Sequence, residues 1–166
     1  KNLKMNTVLQ VILVGIGGTL AMDIYSLILK AFHIKTLDYR FVGRWIGHFP
    51  KGKFFHQKIM ESSVIPYEQI IGWTAHYLIG ISFSFLLFFI YGKKWFQSPT
   101  FSPALIIGIV TIVAPFFLLQ PAFGFGIAGT NLPSPNKARM MSFIIHCVYG
   151  VGLYISAVLL NNGLKN

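Results

Sequence analysis

Polar residues fall into short clusters along this chain and leave four long apolar runs between them, at residues 7–29, 70–91, 103–128 and 139–160. About 20 mostly apolar residues cross the roughly 30 Å hydrocarbon core of a bilayer, so each run is long enough to span one. Backbone groups in lipid must be satisfied internally, which leaves helix or closed barrel. None of the runs alternates with a period of two, and continuous apolarity of this length predicts helix. Pro115 and Pro121 fall inside the third run and predict kinks there.

Small residues recur four apart in every predicted span: Gly17/Ala21, Gly80/Ser84, Ala104/Gly108 and Gly152/Ser156. That spacing lets helix backbones approach closely, as spans must when lipid supplies no hydrophobic drive between them. The long connection, residues 30–69, has its own pattern. Phe41, Trp45 and Phe49 recur on one helical face, and Arg40, Arg44 and His48 on the neighbouring one. This predicts an amphipathic helix lying in the interface with its aromatic side down, although Gly43, Gly47 and Pro50 weaken it. A second short helix is predicted over about 53–62, and Pro66 suits the first turn of the second span.

Composition sharpens this picture. Only 11% of the 166 residues are charged and 54% are hydrophobic, with a mean hydropathy of +0.64; soluble domains carry about 25% charged residues. The formal charge of +10 does not imply nucleic acid, because the Lys and Arg residues flank apolar runs, where they set orientation and meet lipid headgroups. Residues 1–21 carry a basic end and a Thr19-Leu20-Ala21 sequence that resembles a cleavage site, but the apolar run continues to Leu29. This is longer than a signal peptide needs and predicts a retained span. Cys147 stands alone and reads as a small hydrophobe.

Orientation follows from Lys and Arg. Lys30, Lys35, Arg40, Arg44, Lys51, Lys53, Lys58, Lys137 and Arg139 lie in the first and third connections, against Lys1, Lys4, Lys93, Lys94 and Lys165 on the other side. Nine against five predicts cytoplasmic connections and external termini.

Polar residues inside the spans carry the candidate chemistry. Asp23, His76, Gln120 and His146 each lie some six to eight residues from the same side, which at 1.5 Å per residue is about 9–12 Å deep. Arg139, His146 and Tyr149 share a stripe on the fourth span. A carboxylate facing lipid is costly, so Asp23 is expected inside the bundle, with His76, His146 or Arg139 as partner. Asp23, His76, Gln120, His146, Tyr149 and Arg139 are therefore the candidate ligand-binding residues.

Two imidazoles and a carboxylate, Asp23, His76 and His146, suit a divalent metal. The two histidines suit haem iron, and the same groups suit a proton relay. A polar cluster that only fixes helix register fits the spacing equally. In the connection, Arg44, His48 and His56, with Lys51 and Lys53, form a candidate anionic entrance; interfacial anchoring by Trp45, Phe49, Phe54 and Phe55 is the alternative. No G-x-S-x-G elbow or phosphate loop occurs, and Ser62, Ser63 and Ser142 have no nucleophile motif around them.

Three stretches, GRWIGHFPKGKFFH, EQIIGWTAHYLIGI and PALIIGIVTIVAPFFLLQPAFGFGIAGT, with Met22-Asp23 and HCVYGVGLY, resemble a family of small bacterial inner-membrane proteins known as a domain of unknown function. The resemblance implies a four-span bacterial membrane protein and brings no activity. The expected fold is all-α: one integral membrane four-helix bundle over 1–166, with an amphipathic segment between the first and second spans. The expected function is binding or transport of a small ligand, metal ion or proton at the buried Asp/His cluster; a haem- or metal-dependent redox enzyme and a structural subunit are the alternatives. The bilayer and a second copy of the chain are the expected partners, and nucleic acid is not.

Overall fold

A computed structural model describes residues 5–163, which form helices and turns and contain no β-strand. Lys1, Lys4 and Lys165 of the charge count lie outside the described residues. We label the helices α1 (Thr7–Ala31), α2 (Arg40–Gly47), α3 (Glu68–Gln97), α4 (Phe101–Ala122) and α5 (Pro135–Gly163). Helices α1, α3, α4 and α5 are 25, 30, 22 and 29 residues long, and all are apolar enough to cross a membrane. Their outer faces carry large exposed apolar side chains, among them Leu27, Phe89, Phe117 and Leu159. Apolar surface of that extent on four helices belongs in lipid.

Span positions agree with the apolar runs, and the differences lie at the ends. Helix α3 continues to Gln97 but breaks at Gly92 (φ 70°), one residue past the predicted end. Helix α4 is α-helical to Val110 and opens into a π turn over Pro115–Leu119. Pro115 has no N–H to donate back along the helix, and the wider turn re-satisfies the ladder there. The helix stops at Ala122, short of the predicted 128, because Gly124 and Gly126 take positive φ.

The chain divides into two compact units. Among the described residues, the first comprises those up to Ile34, Tyr77–Thr111 and those from Ile145 to Gly163, and it is a four-helix bundle. Its core holds Val14, Leu87, Phe96, Ile107, Tyr149 and Leu153, and its contacts are made by the predicted small residues. On α1, Gly17 faces Ser156, and Ala21 faces Gly152 of α5. Gly80 of α3 faces Thr19, and Gly108 of α4 meets Gly150. Polar side chains cross-link the helices: Ser84 Oγ donates to the Val11 carbonyl at 2.8 Å, and Tyr149 Oη donates to the Gly80 carbonyl at 2.6 Å. Near one end, Gln10 and Asn161 both donate to the Phe96 carbonyl at 2.8 Å.

The second unit comprises Lys35–His76 and Ile112–Ile144. Its core is Val42, Ile59, Ala122 and Phe123, with Trp45 and Phe41 packed against it. A helix forms where the pattern predicts one, α2, and it packs closely on α3: a Cβ on Gly43 would overlap the Glu68 carbonyl, and one on Gly72 of α3 the Tyr39 carbonyl. The short helix predicted over about 53–62 is absent. Only a 3₁₀ turn, Ile59–Glu61, occurs there, because the stretch is tied to α4 instead, His56 N–H donating to the Ala122 carbonyl and Ile59 N–H to that of Phe123. Pro66 precedes α3 and does not open its first turn, since Tyr67 adopts a left-handed conformation (φ 61°) between them.

Candidate functional site

The densest polar constellation lies in the second unit, on the connection between α1 and α3. Arg44 and Glu68 are 7% and 8% exposed and form a two-pronged ion pair, Nε to Oε2 at 2.8 Å and Nη2 to Oε1 at 2.9 Å. Arg44 Nη1 also donates to the carbonyls of Ile59, Met60 and Ser62 at 3.2–3.3 Å. All three guanidinium nitrogens are engaged, so Arg44 is not placed to receive an anion as an entrance residue. Planar guanidinium geometry suits such a clamp, which an ammonium would not satisfy.

One helical turn later, His48 is 2% exposed and His56 5%. His48 Nδ1 lies 2.9 Å from His56 Nε2, and His48 Nε2 lies 3.1 Å from Ser63 Oγ. Ser63 itself is exposed. His56 Nδ1 is buried with no hydrogen-bond partner. Both histidines have pKa values below the ordinary imidazole value. Burial is the main cause for each, followed for His48 by Lys53, Lys51 and Arg44, and for His56 by Lys53 and His48. The shift favours the neutral form of both rings. The periodicity placing Arg44 and His48 on one face was therefore correct, but that face points into the fold, because Glu68, Ser63 and three carbonyls satisfy it.

In the first unit, Asp23 is 8% exposed and accepts a hydrogen bond from Tyr77 Oη at 2.7 Å. His146, also 8% exposed, has Nδ1 at 3.0 Å from Thr111 Oγ1. Thr111 gives its own proton to the Gly108 carbonyl at 2.7 Å; His146 Nδ1 is therefore the donor, and its Nε2 carries the lone pair. Tyr149 is held in the bundle core by the Gly80 carbonyl.

The remaining candidates belong to the second unit. His76 stacks on Tyr39 with ring centroids 4.0 Å apart and lies edge-on to Trp73 at 5.9 Å. Gln120 Oε1 is buried without a hydrogen-bond partner. Arg139 Nε donates to the Ala128 carbonyl at 2.9 Å and Nη1 to Asn136 at 3.1 Å. Beside it, Ile112, Phe116, Met140 and Phe143 line an open apolar groove of about 330 Å³.

Among the described residues, no group of three or more His, Cys, Asp and Glu side chains could hold a metal ion. Asp23, His76 and His146 thus do not form the expected metal set.

Glu68, Ser63, Thr111, Tyr77 and Tyr39 were not singled out as site residues by the sequence. Each partners a residue far along the chain, and spacing alone carries no signal for that. Glu68 had one cue, as an acid at the foot of an apolar helix that carries an unusual ionic demand.

The family model described as Protein of unknown function (DUF2938) matches residues 12–160. The chain belongs to the DUF2938 family. Membership agrees with four apolar helices and assigns no chemistry to a DUF2938 protein. No curated protein and no solved structure matches the chain.

Proposed function

We propose that this DUF2938 protein is a multi-pass protein of the bacterial inner membrane that binds or transports a small ligand or proton, with Asp23 as the working group. What supports this reading is one observation. A carboxylate, 8% exposed, sits well inside a 25-residue apolar helix with a tyrosine hydroxyl on one oxygen. Intramembrane carboxylates are rare and costly, and they commonly mark proton or substrate paths. Tyr77 orients the group through that hydrogen bond. In this reading the connections at 30–69 and 129–138 are cytoplasmic, both termini are periplasmic, and the narrow bundle works as a homo-oligomer in the bilayer.

The test is proton flux into phosphatidylcholine–phosphatidylglycerol vesicles holding the purified protein, driven by a valinomycin-set potassium potential and read with an internal pH dye. Wild-type vesicles should acidify faster than empty ones, and Asp23→Asn should return the rate to that of empty vesicles while the helical circular dichroism is kept. Wild-type flux no faster than in empty vesicles, or an Asp23→Asn variant as fast as wild type, would overturn the reading.

A further inference from the structure

The histidine pair of the second unit is not used by the reading above, and its geometry is specific. His48 sits between a hydroxyl and a second imidazole, with Nε2 toward Ser63 Oγ at 3.1 Å and Nδ1 toward His56 Nε2 at 2.9 Å. A catalytic histidine uses its two nitrogens in that order, Nε2 on the nucleophile and Nδ1 on the residue that fixes tautomer and orientation. The burial pattern also fits. The base and its partner are 2% and 5% exposed, while Ser63 lies at the surface.

The surrounding backbone is held in place. His48 closes α2, its carbonyl accepting from the N–H groups of Lys51 and Lys53. His56 is fixed by its N–H on the Ala122 carbonyl at 2.9 Å. Arg44 clamps the carbonyls of Ile59, Met60 and Ser62, immediately before Ser63, and is itself locked by Glu68. In the tautomer with the proton on His48 Nδ1, His56 Nε2 accepts, and His48 Nε2 is left to accept from Ser63. His56 then carries its proton on Nδ1, the buried atom without a hydrogen-bond partner.

We propose that Ser63 is a nucleophile, His48 its general base and His56 the residue that positions His48, in a site that cleaves carboxylic esters of amphiphilic molecules. The amphiphile is inferred from the flanks, where Phe54, Phe55 and Val64 are 50–70% exposed beside the basic Lys51 and Lys53, which favour an anionic head. As Ser63 Oγ bonds to the ester carbonyl, its proton passes to His48 Nε2. The bond to the alcohol breaks, and the alcohol leaves with that proton. Water then attacks the acyl-Ser63, giving a proton to His48, which returns it to Ser63 Oγ as the acid departs. A neutral imidazole stabilises the imidazolium less than a carboxylate would, so the site should be slow.

The test uses the full chain in detergent micelles with a fluorophosphonate probe, which phosphonylates activated serines, read by intact mass and peptide mapping. The expected result is one adduct, on Ser63. It should be absent in Ser63→Ala, kept in Ser62→Ala, and formed about 100-fold more slowly or less in His48→Gln. The wild-type labelling rate should fall in acid with a midpoint below the ordinary histidine value, because burial, Lys53, Lys51 and Arg44 outweigh Glu68 at His48. His56→Asp should raise that midpoint, a change that a packing role would not produce. No adduct even after prolonged exposure to excess probe, an adduct that survives Ser63→Ala, or a wild-type labelling rate that does not fall at all on acidification would each overturn the proposal. The last needs no variant to fold.

Discussion

Arg44 shows what a single buried cation demands of its surroundings. Removing one partner of a buried, hydrogen-bonded pair leaves the other charge uncompensated, which costs about 3–5 kcal/mol, whereas replacing both with apolar groups is often close to neutral. Arg44→Met should therefore lower thermal stability in detergent sharply, and Arg44→Met with Glu68→Leu should recover most of the loss. Equal losses in the single and double variants would show that the three carbonyl bonds, and not Glu68, dominate. The histidines give a pH dependence of definite sign. Their folded pKa values lie below the ordinary 6.5, so the unfolded chain takes up protons first as pH falls. Stability should be level above about 6.5 and decline as pH drops through that value toward the lower folded one. In His48→Gln/His56→Gln the slope in that window should flatten, as measured by melting temperature against pH. Little of this could be read from the sequence. The spacing gave Arg44 and His48 their shared face, but its direction was set by Glu68 and Ser63, which lie beyond α2 and carry no periodic signal; Arg40, one turn earlier, stays exposed and pairs with Asp38.

Helices are a different matter, because lipid imposes a rule that sequence must obey locally. A span has to be continuously apolar and hydrogen-bonded within itself, and α1, α3, α4 and α5 could be placed from that alone. The pairs four residues apart were also legible, since close approach requires small side chains, and the structure puts Gly17 and Ala21 against Ser156 and Gly152. Ends were less legible. Where α4 stops depends on Gly124 and Gly126 turning left-handed, and where the 53–62 stretch runs depends on its bonds to Ala122 and Phe123. The glycine contacts predict outcomes directly. At Gly150, a Cβ would stand 2.8 Å from the Ala104 carbonyl, so Gly150→Ala should cost about 1–3 kcal/mol as an overpacked contact. Gly163→Ala, with nothing within 4 Å, should leave the melting temperature unchanged. Comparable losses in the two would show that the α4–α5 contact is not what Gly150→Ala disturbs.

For the whole molecule, the open question with a decisive answer is which way the chain sits in the membrane. The charge bias of nine against five counts Arg40, Arg44 and Lys58, which in the folded protein are paired with Asp38, Glu68 and Glu61. Counted only after folding, the bias would nearly vanish. Orientation, however, is set as each connection emerges unfolded, and it responds to Lys and Arg with little contribution from Asp and Glu, so pairs formed later do not cancel. Connection 30–69 should thus remain cytoplasmic. Three spans, α3, α4 and α5, separate Lys53 from Asn162, and an odd number places the two on opposite sides. In a Cys147→Ala background, Lys53→Cys should react with a membrane-impermeant maleimide in inside-out vesicles and be protected in intact spheroplasts, while Asn162→Cys should do the reverse. Both patterns exchanged would invert the orientation and keep the span count. Both positions labelled from one face would break the count itself, and α4, the helix opened by its π turn at Pro115, would be the first to re-examine, since only a span that fails to cross can change that parity.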